Sequence, residues 1–333
     1  MSKVKVSIIV PVYNQEKRIK GCLESLKNLA FHDAEFLIIN DGSVDKTEEV
    51  IGEFINKSQD SRFKLLSKNN EGPGAARNYG IERARGEYIW FIDGDDRIEE
   101  SSFLEDAINF MKNNNLELLE FNFKAQKKDA FLNSPIQNTS KIVPGIELFS
   151  SEMKMTSAFW LTVWHFIVRR SFILENEFRF LKSSYAEDTL WSLKLISKAA
   201  RTAFFDRVGY YYLYYPDTIS HNLSNLRKSS KDTVEAVIDI IDYLKKEKLD
   251  DKVESLREFI AKLYVGAVVQ LTAIDNNFEL DKKQLRNICK DVKLKRNDFI
   301  KKQLLLYTPY FVRKKICRLI VRKFLNIDKE EIK

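Results

Sequence analysis

The sequence predicts an α/β protein with a mostly parallel sheet, helices on both faces of that sheet, and a helical C-terminal region. First, strand-length apolar runs alternate four times with helical patterns within about 95 residues, which is typical of a parallel sheet. Second, these runs show no polar alternation, as expected of strands covered on both faces. Third, polar turns follow the strands at the edge where open sheets of this class bind ligands.

Hydrophobic spacing predicts the first two strands and the helix between them. Val6 to Pro11 is an apolar run that ends at a proline, and Tyr13 lies in the turn that follows. A helix from about Glu16 to Leu29 places four apolar residues on one face: Ile19, Cys22, Leu23 and Leu26. Phe36 to Ile39 is the second strand, and it ends on the polar turn Asn40-Asp41-Gly42-Ser43.

A second helix and a short third strand follow. Asp45 is predicted to cap the helix, with Glu48 three residues later in the capping-box position. The apolar face of this helix consists of Val50, Ile51, Phe54 and Ile55. The third strand is predicted at Phe63 to Leu66.

The segment from Glu71 to Asp96 contains the third helix and the fourth strand. The turn Gly72-Pro73-Gly74 precedes a helix predicted from Ala75 to Ala84, because proline suits a first helical turn. Gly86 is expected to end this helix. Tyr88 to Ile92 is then a wholly apolar run of strand length.

An acidic cluster follows the fourth strand directly. Asp93, Asp95 and Asp96 surround Gly94, and carboxylates so close together raise each other's pKa by repulsion. A divalent cation that prefers oxygen ligands, Mg²⁺ or Mn²⁺, would relieve this repulsion. The alternative is a solvated acidic turn, since Asp and Gly are common turn residues. The position after a buried strand, matching that of Asp41, favours a ligand site.

The middle of the chain is rich in aromatic residues. A helix is predicted from Phe103 to Asn113 and a strand from Leu116 to Phe123, with a polar connection as far as Lys141. Phe159 to Val168 is strongly aromatic, and Val208 to Tyr215 reads as an aromatic strand.

Composition and charge restrict the classes of function. With 44% hydrophobic and 31% charged residues, the chain is predicted to be soluble and globular, without the roughly 18-residue apolar run of a membrane span. Three widely separated cysteines argue against a disulfide scaffold or zinc site and fit a reducing compartment. The net charge of +7 is local, because residues 299–327 hold eight Lys or Arg and no acid, which leaves the rest near −1. Nucleic acid is therefore not the expected partner.

Several motifs together resemble those of family 2 inverting glycosyltransferases, which have the GT-A fold. They read VSIIVPVYNQEKRIKGCLESL, INDGSVDKT and NEGPGAARNYGIERARGEYIWFIDGDD, and Ala186-Glu187-Asp188-Thr189 is similar to the family's Glu-Asp motif. The resemblance is dense across the first hundred residues and thins after about residue 222. It implies sugar transfer from a nucleotide donor, most commonly a UDP-sugar, in bacterial surface-polysaccharide or glycan synthesis.

The resemblance also implies roles for individual residues. The donor nucleotide and its sugar would contact Pro11, Tyr13, Asp41, Arg77, Asp93 and Gly94. Within this set, Pro11 and Tyr13 would line the base pocket, Asp41 would hydrogen-bond the base, and Asp93 would hold the ribose. The metal, Mn²⁺ or Mg²⁺, would be ligated by Asp95 and His221. Asp188 would be the general base, and Glu187 and Trp164 would line the acceptor side.

Structural roles are the alternative for several of these residues. Arg77, taken alone, reads as an exposed helix residue, and Asp41 can simply cap a turn. Glu187 and Asp188 fit the start of a helix, where the dipole favours acids, and that role is compatible with catalysis.

Aromatic and histidine residues also have two readings. Trp160 or Trp164 can stack on a sugar ring, but at least one of them is expected in the core. His221 can be a loop residue without a metal.

The catalytic domain is predicted at residues 1–225 and a helical C-terminal region at 226–333. The chain ends in a basic helix from Tyr310 to Asn326 with an apolar side: Val312, Ile316, Leu319, Ile320 and Phe324. Such a helix is typical of binding to an anionic membrane surface, and the alternative is packing on the neighbouring domain.

These features predict a cytoplasmic enzyme, peripheral at the inner face of the cell membrane, that acts on a lipid-linked saccharide. The alternatives are an enzyme that extends a glycan on a protein and a non-catalytic, sugar-nucleotide-binding protein of the membrane surface.

Overall fold

The computed structural model describes residues 4–127, 130–133, 141–156, 161–181, 186–215, 223–249, 254–290, 292, 294 and 296–325. The chain divides into two units, Met1–Tyr214 and Tyr215–Lys333. The division lies ahead of the predicted boundary near residue 225, which would fall inside a helix that begins at Leu223.

The first unit alternates strands and helices along the chain. Its elements are β1 (Val6–Val12), α1 (Ile19–Lys27), β2 (Ala34–Asn40), α2 (Thr47–Ser58), β3 (Phe63–Ser67), α3 (Pro73–Arg83), β4 (Tyr88–Phe91), β5 (Arg97–Ile98), α4 (Phe103–Asn113), β6 (Leu118–Lys127), β7 (Ala130–Asn133), α5 (Gly145–Thr156), β8 (Phe166–Arg169), α6 (Arg170–Glu175), α7 (Glu187–Lys198) and β9 (Thr202–Tyr212).

A single sheet of nine strands, counted over the described residues, organises this unit. The strand order is β3-β2-β1-β4-β8-β6-β9-β5, with β7 paired to β6. The first four strands in this order are parallel, and β9 is parallel to β6. Strand β8 runs antiparallel between β4 and β6. The predicted mostly parallel sheet is confirmed for the first four strands, and the second half is mixed.

Helices cover both faces of the sheet, as predicted. Successive residues of a strand point to opposite faces, and in β1 the side chains of Ile8 and Val10 join a core cluster with α1 and α4. Ile9 points the other way and lies against Gly80 of α3. Phe91, the register partner of Ile9, packs edge-on against Trp191 of α7, with ring centroids 5.3 Å apart.

The start of α2 differs from the predicted capping box. Asp45 Oδ1 accepts a hydrogen bond from the Thr47 backbone N–H at 2.9 Å, so this residue does satisfy an orphan donor of the helix. The Glu48 carboxylate instead accepts from Asn40 Nδ2 at 2.8 Å and Ser67 Oγ at 3.0 Å. The Glu48 half of the prediction is wrong, because partners at the ends of β2 and β3 take its hydrogen bonds.

Two strands depart from the sequence prediction in length or existence. β9 begins at Thr202, before the predicted Val208, and β7 forms inside the predicted polar connection. Both strands pair with β6. Pairing with β6 therefore stabilises strand residues that the local sequence did not indicate.

The second unit is helical, as predicted. Its helices are α8 (Leu223–Lys246), α9 (Glu254–Ile274), α10 (Lys282–Ile288), α11 (Arg296–Tyr307) and α12 (Tyr310–Leu325). Helix α9 is apolar on most sides and packs against the other four, as expected of a central helix. Across the described helices, none combines the length and apolarity that a bilayer crossing requires.

The burial of α12 differs from the predicted apolar side. Arg313, Cys317 and Val321, four residues apart, form its buried side. Arg313 donates from Nη1 to the Leu305 carbonyl at 3.0 Å, which lets a cation lie on that side. Val312 and Leu319, assigned to the apolar side, are 50% and 56% exposed.

Candidate active site

The C-terminal ends of β1, β2 and β4 lie side by side and bring the predicted site residues together. The pairing of β1 with β2 places Pro11 opposite Ile39, and the Asp41 backbone N–H donates to the Val12 carbonyl at 2.9 Å. Pro11 is buried, whereas Tyr13 is 45% exposed. An exposed aromatic ring beside a buried strand end can stack on a planar ligand.

Asp41 is buried and connects the end of β2 to the loop before α3. Its Oδ1 accepts from Lys68 Nζ at 2.8 Å and from the Glu71 N–H at 3.2 Å, and Oδ2 accepts from the Gly72 N–H at 2.8 Å. Burial acts to lower the pKa of Lys68, but its contacts with Asp41 and Glu71 outweigh this and raise it. The Asp41 carboxylate therefore fixes the conformation of the loop before α3.

Arg77 lies at the centre of the acidic residues and not on an exposed helix surface. Its Nη2 lies 3.0 Å from Asp93 Oδ1, and its Nη1 lies 2.8 Å from Glu187 Oε1 and 2.9 Å from Asp188 Oδ1. The guanidinium is buried, and although burial alone would lower its pKa, the three carboxylates raise it. One buried cation thus joins the end of β4 to the start of α7.

Asp188 combines a buried oxygen with partial access to solvent. Its side chain is 23% exposed, but Oδ1 is buried and out of line for a hydrogen bond with the nearby Arg77 N–H groups. Burial raises the pKa of this carboxyl well above its usual value, Arg77 acts against that rise, and the charges of Glu187 and Asp93 add to it. A carboxylate with a raised pKa is a stronger base, which suits proton abstraction.

Glu187 is more enclosed than its neighbour. It is 6% exposed, and its pKa is raised chiefly by burial, against the effect of Arg77. The residue predicted for the acceptor side is thus an ion-pair partner of Arg77.

The acidic turn after β4 separates into one structural carboxylate and two accessible ones. Asp96 is 1% exposed and accepts from Tyr210 Oη at 2.6 Å and from the Leu213 N–H at 2.7 Å. The same Tyr210 oxygen accepts from the Asp93 N–H at 3.2 Å. Burial, followed by the charges of Asp95 and Asp93, raises the pKa of Asp96 well above its usual value. Tyr210 therefore fastens β9 to the turn, a role that the sequence did not indicate.

Gly94 is required by close packing. A Cβ atom at this position would collide with Gln15 Oε1 and lie 2.7 Å from Val12 Cγ1. Glycine therefore lets the acidic turn approach the end of β1.

Asp95 is the residue of this turn that the resemblance assigns to the metal. Its side chain is 19% exposed, and Arg18 Nη1 lies 4.0 Å from its Oδ2. Within the described ranges, no three His, Cys, Asp or Glu side chains are grouped to hold an ion. Mg²⁺ and similar ions commonly take one or two carboxylates together with substrate phosphates, so the two accessible carboxylates of this turn fit that donor set. Arg18, which sequence reasoning passed over, adds a cation at the same place.

Trp164 lies in the core and not on an acceptor wall. It is 2% exposed, and it stacks on Tyr210 with ring centroids 4.4 Å apart and planes 8° apart. Phe123 packs edge-on against it at 4.7 Å. A ring covered in this way offers no free face to a sugar, so that assignment is wrong. The other candidates, Trp160 and His221, lie outside the described residues.

Comparison with known proteins places these features in a family. The model of the family described as "Glycosyl transferase family 2" matches residues 7–177. The glycosyltransferase EpsJ of Bacillus subtilis is 30% identical over 219 residues, which cover 65% of this chain and 62% of EpsJ. The poly(ribitol-phosphate) β-N-acetylglucosaminyltransferase TarS of Staphylococcus aureus is 31% identical over 214 residues, 63% of this chain and 35% of TarS. The matches thus span less than two thirds of each relative.

Solved structures agree on the fold. TarS residues 1–349, in complex with UDP-GlcNAc, superimpose with a TM-score of 0.63 at 21% identity, covering 97% of this chain and 91% of that one. The mannosyltransferase PcManGT of Pyrobaculum calidifontis, in complex with GDP-Man and Mn²⁺, has a TM-score of 0.55 at 15% identity, covering 98% and 89%. The predicted GT-A fold is therefore confirmed.

Proposed function

The chain belongs to glycosyl transferase family 2, and from this membership we propose that it moves a sugar from a nucleoside-diphosphate donor to a saccharide acceptor with inversion at the anomeric carbon. The supporting observation is the cluster in which Arg77 joins Asp93 at the end of β4 to Asp188 at the start of α7. A donor-binding carboxylate and a base with a raised pKa are the two groups that direct displacement needs.

The proposed donor is a UDP-sugar. Pro11, Tyr13 and Asp41 would surround the nucleobase, Asp93 would hold the ribose, and Gly94, which lets the acidic turn approach β1, would contact the donor. TarS, which shares the fold, is solved with UDP-GlcNAc. PcManGT is solved with GDP-Man, so a guanine nucleotide is the donor to test against.

The donor site is proposed to include Mn²⁺ or Mg²⁺ held by Asp95. When bound, such a cation neutralises the charge of the leaving diphosphate. Arg18, 4.0 Å from Asp95, would add a fixed positive charge on the same side.

Asp188 is the proposed general base. The acceptor hydroxyl attacks the anomeric carbon from the face opposite the diphosphate, and the new glycosidic bond forms as the bond to the diphosphate oxygen breaks. The proton of the hydroxyl passes to Asp188, and the nucleoside diphosphate leaves with the bonding electron pair. Arg77 holds the base in place and limits the rise of its pKa.

The proposed acceptor is a lipid-linked saccharide at the cytoplasmic face of the membrane, in the synthesis of a surface polysaccharide. The support is the basic C-terminal segment together with the similarity to TarS, whose name describes transfer of N-acetylglucosamine to poly(ribitol-phosphate). A glycan on a protein is the second acceptor to test.

Transfer assays with Asp188→Asn test the proposal. We expect UDP-sugars to stabilise the wild-type chain and to be turned over, with Asp188→Asn slower by about 10²- to 10⁴-fold, the usual contribution of a general base. The control is Asp242→Asn, a substitution of a 70% exposed side chain on α8, which should leave turnover unchanged. Excess chelator should abolish transfer if Asp95 holds a metal.

Two outcomes would refute parts of this proposal. Wild-type turnover by Asp188→Asn would remove the base assignment. Nucleotide binding without turnover of any donor would favour the non-catalytic binding protein.

A further inference from the structure

One face of α3 is fastened to the segment that leads toward α7. The Asn78 side chain donates from Nδ2 to the Phe180 carbonyl at 2.9 Å and accepts from the Phe180 N–H at 2.9 Å. An amide that both donates to and accepts from one backbone residue fixes that residue in two directions. Asn78 thus holds Phe180 as a neighbouring strand would.

Gly74 brings the same two segments into close contact. A Cβ atom at this position would overlap the Leu181 carbonyl oxygen and lie 3.2 Å from Phe180 Cβ. Because the obstacle is backbone, a side chain here could not be accommodated by a rotamer change. The glycine is therefore a condition for the Asn78 contact.

Gly74, Arg77 and Asn78 are spaced at i, i+3 and i+4, so they share one face of α3. Arg77 uses this placement to reach Glu187 and Asp188 at 2.8 and 2.9 Å. Its side chain is only 4% exposed, and both terminal nitrogens already lie against carboxylates. This geometry fits a residue that positions other groups better than one that reaches out to a nucleotide.

Phe180 carries the contact on to α7. Its ring stacks on Trp191 with centroids 4.5 Å apart and planes 13° apart, and Phe91 of β4 packs edge-on against both rings at 5.3 Å. Trp191 lies on α7 three residues after Asp188, almost one turn further along. The position of Phe180 and the position of the base are therefore linked through packed rings.

We propose that Asn78 is a positioning residue, which fixes Phe180 and through it the start of α7, so that Asp188 is aligned with the acceptor hydroxyl. The proposal rests on the proposed function, since it assigns the base that Asn78 serves. Gly74 leaves room for the contact between Asn78 and Phe180, and Arg77 fixes the carboxylates of Glu187 and Asp188. The face of α3 defined by these three residues would then set the geometry of catalysis and leave donor affinity to the strand ends.

The variant Asn78→Ala separates the effect of this contact on catalysis from its effect on donor affinity. A displacement of about 1 Å can slow a reaction by about 100-fold, so we expect kcat to fall ten- to hundredfold while the dissociation constant for UDP changes less than about twofold. The Phe180 amide should exchange its hydrogen faster, because its acceptor is gone. Asn114→Ala is the matched control, since Asn114 also donates from its side chain to a backbone carbonyl, that of Phe110 at 2.9 Å, at the end of α4.

The outcomes are distinguishable. A kcat near that of wild type, or a loss of UDP affinity equal to the loss in kcat, would overturn the proposal. If Asn78→Ala does not fold, Asn78→Asp keeps the acceptor for the Phe180 N–H, loses the donor, and should give the same split in a milder form. If the wild-type chain transfers no sugar, the proposed function fails. Even then, an unchanged hydrogen-exchange rate of the Phe180 amide in Asn78→Ala would refute the proposal that Asn78 fixes Phe180.

Discussion

At Arg77, a single buried guanidinium faces three carboxylates, and two of these come from a helix 110 residues later in the sequence. The sequence indicated that Arg77 lies on a helix and that Asp93 and Asp188 belong to one site. It could not indicate that the arginine lies between them, because that arrangement depends on where α7 packs. Charge balance at the site is thus a tertiary property.

The charge of Arg77 should control the pH dependence of transfer. Because Arg77 opposes the rise in the Asp188 pKa, Arg77→Gln should raise that pKa further. The base acts as the carboxylate, so the acidic limb of kcat/KM should move to higher pH and activity at pH 7 should fall. Arg77→Lys keeps the charge and should give a smaller shift. An acidic limb that stays in place in Arg77→Gln would contradict this account.

The raised pKa of Asp188 also makes the stability of the folded chain depend on pH. A folded-state pKa above the unfolded value means that the folded chain binds the proton more tightly. The contribution of Asp188 to stability is therefore full below its unfolded pKa and is lost as the pH rises through the raised folded value. Thermal unfolding of Arg77→Gln should accordingly show a deficit relative to wild type, since an uncompensated buried charge is costly.

At the scale of single residues, the sequence identified the accessible acids better than the aromatic residues. Asp93 and Asp188 both lie against Arg77, a proximity that the family resemblance implied and that local pattern alone did not indicate. Trp164 was misassigned because a tryptophan on a sugar and a tryptophan in a core have the same local sequence. Only its stacking on Tyr210 separates the two roles.

The contact between α3 and β1 depends on a glycine at the scale of elements. A Cβ atom at Gly80 would collide with Ile9 Cγ2 and lie 3.1 Å from its Cδ1 and Cγ1. Gly80→Ala should therefore destabilise the fold by about 1–3 kcal/mol, because overpacking outweighs the gain of about 0.5–1 kcal/mol in helix propensity.

Gly52 of α2 is the matched control for this prediction. A Cβ atom there meets nothing within 4 Å, so Gly52→Ala should stabilise the chain by about 0.5–1 kcal/mol. Denaturant unfolding of both variants checks the opposite signs. A stabilised Gly80→Ala would show that α3 and β1 can separate without cost.

Helices with a clear apolar face were predicted best. α4 has the predicted bounds, Phe103–Asn113, because its buried residues repeat at helical spacing and an asparagine follows. β7 was not predicted, since its residues become a strand only by pairing with β6. Local pattern thus specifies amphipathic helices, whereas edge strands depend on their partners.

For the whole molecule, the order of strands could be predicted only in part. The parallel strands β1 to β4 follow from alternation with helices, because crossover helices return the chain to the same end of the sheet. The antiparallel strand β8, which separates β4 from β6, has no comparable local signature.

In the second unit, the exposed side of α12 is both apolar and basic. Phe311 is 85% exposed, and Tyr307, at the end of α11, is 70% exposed. Val312 and Leu319 are at least half exposed, and Lys315 is also exposed. Exposed apolar side chains among cations are suited to an anionic lipid surface, where a Lys or Arg adds about 1 kcal/mol.

Replacing the exposed side chains of Phe311 and Leu319 should weaken membrane binding by the whole chain. Full burial of a Phe or Leu side chain stabilises by about 1.5–3 kcal/mol, so the double variant Phe311→Ser, Leu319→Ser should bind anionic vesicles about tenfold or more weakly in co-sedimentation. The control is Leu174→Ser on α6, where the side chain is 37% exposed. Binding by the wild type should fall with added salt and be weaker on neutral vesicles. Equal binding by the double variant and the wild type would remove α12 from the attachment, and the proposed lipid-linked acceptor would lose its main physical support.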